Sequence, residues 1–180
     1  MLKPVVAGIG AVALVAGLWA FQPWRVLTSS EVDEAPPTSE VVASDPAAGS
    51  DDTEEPDPTA TPSAKPDRIL ARGQFEDAEH GTTGTALVIE LGDGRRFLRF
   101  EDLASSDGPD LHVWLTDQPS GGDWGSYDDG RYVRLGDLKA THGNQNYEIP
   151  DDADLAGLTS VVIWCDRFNV AFGTAPVLLT

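Results

Sequence analysis

Ser160-Val-Val-Ile-Trp-Cys165-Asp-Arg-Phe-Asn-Val-Ala-Phe-Gly173 is the stretch from which the rest of the chain is best read. Val161, Ile163 and Cys165 alternate with Val162 and Trp164, and both sets are apolar. That is the pattern of a strand packed on both faces. Asp166 and Arg167 interrupt it; Phe168, Val170 and Phe172 restart it, and Gly173 ends it, giving a second strand after a sharp turn. The only cysteine of the chain therefore closes an apolar strand, beside an aspartate and an arginine.

The same alternation recurs in short runs from Asp67 onward. Residues 72–75 make a short strand, followed by a polar turn through His80 and Gly81. Residues 84–91 and 95–103 flank the tight Gly92-Asp-Gly94 turn as a hairpin. Asp107-Gly-Pro-Asp110 is a turn by composition, and residues 111–115 form a strand. Residues 116–130 are a long Gly/Asp/Ser loop with Trp124 and Tyr127, which either meet a partner or fold back over the domain. Residues 132–135 are a strand. Residues 142–146 read as a polar turn before the strand 147–149, and residues 151–157 have room for one helical turn. No long 3.6-residue period follows the N-terminal segment. The expected fold class is all-β, a sandwich or a barrel, and an antiparallel β-sandwich is the form we expect.

The N-terminal part is built differently. Residues 5–21 form an unbroken apolar run of 17 residues, with Lys3 before it and Arg25 after it. This is just long enough to span a bilayer as a helix. Trp19, Phe21 and Trp24 suit the outer interface. They also occupy the region where a cleaved signal peptide, the alternative, needs small residues. We expect residues 1–27 to be a transmembrane anchor of a single-pass cell-membrane protein, with its C-terminal domain extracytoplasmic. Residues 28–66, made of Pro, Ser, Thr, Ala, Asp and Glu, are expected to be a disordered acidic linker, because they cannot bury enough apolar surface to offset chain entropy. Residues 67–180 are the folded domain. The net charge of −18 and pI of about 4.2 repel phosphate backbones, which sets nucleic-acid binding aside. A single cysteine cannot form an intramolecular disulfide, so the domain depends on its core.

Four stretches, in this order, resemble the DM-thirteen electron-transfer domain family. They are Gly73-Gln-Phe75 with His80 and Gly84; Gly108-Pro-Asp-Leu111; Leu135-Gly-Asp-Leu-Lys139 running on to Gly143-Asn-Gln-Asn-Tyr-Glu-Ile-Pro150; and Val161-Val-Ile-Trp-Cys165 with Phe168, Val170, Phe172-Gly173 and Ala175. The resemblance covers residues 72–177. It implies a β-sandwich with one key cysteine, acting in redox chemistry as a bare thiol or as a ligand to a prosthetic group such as haem. It also implies a redox partner protein. His80 matches the family's turn position and is the candidate second partner of Cys165.

On the residues alone, a lone cysteine at a strand end is most often a small core hydrophobe. Arg167 would favour a thiolate and Asp166 oppose it. Because polar residues follow at once, the sulfur is expected near a rim; together with the resemblance this implies a pocket beside it, lined by Trp164, Phe168 or their neighbours, with His80 as the group that could close it. His80, His112 and His142 fit no zinc spacing, and His112 alternates with Val113 as a structural histidine. The aspartates between 107 and 129 lack the spacing of a calcium loop. No nucleophile–base motif, Walker A motif or Rossmann glycine pattern is present. An electron-transfer or binding domain fits better than a stand-alone enzyme. The alternative is an extracellular binding module in which Cys165 is only structural.

Overall fold

The computed structural model describes Val15, Gly17, residues 28–39 and residues 65–179. Apart from Val15 and Gly17, the expected anchor lies outside the described residues, as do linker residues 40–64. Among the described residues no helix is long and apolar enough to cross a membrane.

The described chain is all β. Ten strands follow in order: β1 (Glu31–Asp33), β2 (Arg68–Gln74), β3 (Glu76–Asp77), β4 (Thr83–Glu90), β5 (Arg96–Ala104), β6 (Leu111–Thr116), β7 (Tyr132–Asp137), β8 (His142–Ile149), β9 (Ser160–Cys165) and β10 (Val170–Pro176). They form two five-stranded sheets, β1-β8-β5-β4-β2 and β3-β10-β9-β6-β7. All pairings are antiparallel except β1 with β8.

β9 organises the second sheet because it is central and every one of its six residues is buried. Val161, Ile163 and Cys165 face the first sheet. There they join Val113 and Leu115 of β6 and Val88, Leu98, Phe100 and Ile149 of the opposing strands in the main core. Val162 and Trp164 face outward, yet they too are covered, in a second cluster with Trp114, Tyr127 and Ala171. The cover is the loop of residues 117–131. Its Tyr127 is 1% exposed, and the Trp124 carbonyl accepts the Ala171 N–H at 2.8 Å. Tyr127 thus folds back over the sheet, while Trp124 is left exposed. Burying side chains of this size stabilises by about 2–3 kcal/mol each, so the loop completes the fold.

Four readings differ from the structure. Residues 142–146 are strand. Their polar side chains suggest a turn, but neighbouring segments satisfy them. Gln145, fully buried, donates to the Ala140 carbonyl and accepts from Tyr147 Oη at 2.7 Å. Asn144 donates to Asp33 and accepts the Asp102 N–H. Second, β1 lies within the segment assigned to the linker. Gly143, at φ 97°, permits this: a Cβ there would collide with the Val32 carbonyl of the paired strand. Third, residues 151–157 form turns and no helix. Fourth, Phe168 belongs to the turn between β9 and β10, and the second strand begins only at Val170.

Glu34 fastens the β1 segment. Its carboxylate accepts from Lys139 Nζ at 2.7 Å and from the Asn146 N–H at 2.6 Å, and its carbonyl accepts from the buried Arg99 at 3.0 Å. Desolvation pushes the Glu34 pKa up, but the Lys139 and Asn146 hydrogen bonds and the nearby positive charges outweigh it and hold the pKa below its ordinary 4.5. A chain beginning at Asp67 should therefore fold as a β protein but be less stable than one beginning at Thr28, by about 2 kcal/mol at roughly 1 kcal/mol per hydrogen bond less ordering cost. Because the folded carboxyl pKa is depressed, that difference should be full above pH 4.5 and shrink below it as the carboxylate protonates. Urea unfolding of both chains measures it.

Candidate functional site

Cys165 closes β9, paired with Leu111 of β6 on one side and Val170 of β10 on the other. Residues 166–169 turn the chain back over it. Asn169 takes φ 53° there, a left-handed conformation that asparagine tolerates better than most residues. The Asp166 N–H donates to the Asp110 carbonyl at 3.0 Å, tying the turn to the entry of β6. The result seals the sulfur: Cys165 is 0% exposed and part of the main core. The expected rim position is right along the strand but not in accessibility, because the turn lies across the strand end.

Burial pushes the Cys165 thiol pKa above its ordinary 9.0. The backbone N–H groups of Phe168 and Arg167 pull the other way, the Asp110 carboxylate adds to the rise, and the Asp110 N–H opposes it. Desolvation prevails, so the sulfur is a protonated thiol near neutral pH. The backbone N–H groups nonetheless favour the anionic form of the sulfur.

The other sequence candidates are not gathered around that sulfur. Trp164 points to the opposite face of β9, stacked on Trp114 with ring centroids 5.0 Å apart; strand alternation makes this unavoidable. His80 lies against Phe172, centroids 4.1 Å apart, and Phe172 belongs to the same core as Cys165. Phe168 stands in the covering turn with 48% of its surface exposed. Of three clefts on the described surface, about 190, 370 and 450 Å³, none is lined by Cys165, Trp164, Phe168 or His80. With the sulfur sealed beneath the turn and packed into the core, these residues do not fit a haem macrocycle, and no step is routed through one.

A second constellation stands on the outer face at the same end of the sheet. His112 of β6 pairs with Asp137 of β7 and with Trp164 of β9. Its Nδ1 lies 2.9 Å from Asp137 Oδ1. Its Nε2 lies 3.1 Å from Asp110 Oδ1 and 3.3 Å from Asp166 Oδ2. Arg134 pairs with the same Asp166 oxygen and lies over the Trp114 ring, 5.0 Å from its centroid. The sequence reading left these residues apart as turn aspartates and a structural histidine. They are distant in the chain, and only the register of β6, β7 and β9 brings them together.

Comparison with known proteins adds one positive finding. A family model described as Electron transfer DM13 matches residues 74–177, more than half of the chain. No curated protein and no solved structure gives a significant match.

The N–H groups that favour an anionic sulfur make two substitutions separable. Cys165→Ala removes the acceptor, and its loss of packing and of hydrogen-bond partners should cost about 1–3 kcal/mol. Cys165→Ser keeps an acceptor for the N–H groups and should cost less; were the sulfur simply core filling, desolvating the hydroxyl would make Ser the worse replacement. Because the folded thiol keeps its proton to higher pH than the unfolded one, the unfolded chain binds fewer protons above about pH 9.0. Stability should fall there as pH rises, and this component should be missing in Cys165→Ala. Denaturant unfolding across pH 7–10.5 reads both effects.

Proposed function

The chain belongs to the Electron transfer DM13 family, and on that premise we propose that it serves electron transfer through the thiol of Cys165. We further propose that residues 1–27 tether it to the cell membrane with the β domain extracytoplasmic; the apolar run of residues 5–21 supports this. The redox reading is supported by the backbone N–H groups of Phe168, Arg167 and Asp110, which favour the anionic form of this one buried sulfur against desolvation. A packing cysteine needs no donors, since neutral sulfur is a weak acceptor. An anionic sulfur, thiolate or sulfenate, gains charge-assisted hydrogen bonds from them.

The sealed thiol is protonated and inert, and movement of the turn at residues 166–169 admits the oxidant. In the two-electron form, the thiolate attacks a peroxide oxygen and the O–O bond breaks. The sulfur is oxidised to a sulfenate and the other oxygen leaves as water after taking up a proton. A partner protein's thiol then condenses with the sulfenic acid, giving a mixed disulfide and water. A second thiol releases Cys165 in its reduced form. Trp124 and Phe168, each 48% exposed, flank this turn and offer such a partner an apolar contact. Gly125 lies beside the Asn169 carbonyl, which places the loop tip against the turn. The same pair of aromatics supports the second reading, a binding module with a structural cysteine.

Peroxide treatment of the native full chain, with a sulfenate trap and mass spectrometry, separates the two. The redox reading predicts a single trapped oxidation at Cys165 that a thiol reductant reverses. A Cys165 that is untouched in the native chain but oxidised after unfolding leaves the binding module. Recovery of the full chain in the membrane fraction, with its N-terminus intact, checks the tether; an N-terminus near Thr28 would contradict it.

A further inference from the structure

We propose that Asp110, His112 and Asp166 form a binding site for a divalent transition-metal cation of the zinc class, with Asp137 as the group that orients the imidazole. The inference stands apart from the redox reading. The Cys165 sulfur is on the opposite face of the sheet and is not a ligand.

The first support is the donor geometry. Zinc held about 2.1 Å from nitrogen and oxygen donors sets neighbouring donors about 3.4 Å apart in a tetrahedral arrangement. Here Nε2 of His112 lies 3.1 Å from Asp110 Oδ1 and 3.3 Å from Asp166 Oδ2, and the three donor atoms all fall within 4.8 Å of one another. The second support is that both carboxylates face a single ring nitrogen. One nitrogen carries at most one proton, so it cannot donate fully to two carboxylates. A cation placed between the three serves all of them. The third support is on the other side of the ring. Asp137 Oδ1 lies 2.9 Å from Nδ1, on the side of the ring away from the two carboxylates. This is the outer carboxylate that metal-bound histidines ordinarily have.

The carboxylates open the cluster to solvent, the Asp110 and Asp166 side chains being 44% and 33% exposed, and a cleft of about 190 Å³ lined in part by Asp110 and Asp137 adjoins it. Three protein donors leave one position for water or an exogenous ligand, as in exchangeable zinc sites. Mixed imidazole and carboxylate donors favour zinc-class ions over magnesium, which prefers oxygen and keeps its waters. Arg134 is the competitor. It pairs with Asp166 Oδ2 and partly supplies the positive charge that the cation would bring, although a carboxylate oxygen retains a second lone pair.

The test is isothermal titration of the chelator-treated full chain with ZnCl2 near neutral pH, with MgCl2 in excess as competitor. One equivalent of Zn2+ should bind and Mg2+ should not displace it. His112→Gln and Asp110→Asn should each weaken binding at least tenfold, and Asp137→Asn by about tenfold. Arg134→Gln should tighten it several-fold, a gain that a purely structural ion-pair cluster would not show. Asp110→Asn, isosteric and at the entry of β6, carries the test if His112→Gln does not fold. Absence of one-equivalent binding, or affinity unchanged in both His112→Gln and Asp110→Asn because the acidic chain holds Zn2+ elsewhere, overturns the proposal.

Discussion

The fold depends on β9 having no face open to water. Its inward residues, Val161, Ile163 and Cys165, fill the space between the sheets. Its outward residues, Val162 and Trp164, would be a surface apolar stripe if residues 117–131 did not cover them. A strand apolar on both faces demands two layers of cover. The first sheet supplies one, and the long loop supplies the other through Tyr127 and through the Trp124 carbonyl, which accepts the Ala171 N–H of β10. The same constraint fixes the chemistry at the strand end. Alternation sends Cys165 inward and Trp164 outward, so sulfur and indole are chain neighbours on opposite sides of a sheet.

At that end the two faces carry different chemistry a short distance apart. Inside, the turn at residues 166–169 and the entry of β6 exclude water from the sulfur, while their backbone N–H groups favour its anionic form. Desolvation holds the proton on the thiol, and the donors favour the anion that would follow its loss. Outside, the cross-strand partner Asp137 brings a carboxylate to one ring nitrogen of His112, and Asp110 and Asp166 bring theirs to the other. Asp110 and Asp166 serve both faces, because their backbones close the cover over the sulfur while their side chains meet the imidazole. The Asp110 carboxylate of the outer cluster also adds to the rise of the Cys165 pKa.

The strands built on clear alternation, β4, β5, β6 and β9, were legible in the chain because each carries apolar residues at period two. Of β8 only the end, residues 147–149, was. Asn144, Gln145 and Asn146 are turn-formers by composition, and only their partners in the β1 segment, in β5 and at Ala140 explain a strand there. β1 was hidden for the complementary reason. Three residues inside an acidic Pro/Ser/Thr segment carry no pattern, and their pairing depends on a glycine more than a hundred residues later. Cys165 could be singled out from its place at the end of an apolar run, but its burial could not, because the turn that seals it contains the very polar residues that suggest exposure. The His112 cluster depends entirely on register, which a single sequence does not disclose.

The proposed redox role requires that Cys165, buried in the main core, be reached by movement of the turn that covers it. The most direct measurement is the rate of alkylation of Cys165 in the native full chain as denaturant is raised from zero. A gated sulfur predicts labelling well below the unfolding transition, through an opening that exposes little surface and so depends weakly on denaturant. Labelling that proceeds only with the full denaturant dependence and free energy of global unfolding would contradict it and make the sulfur core packing.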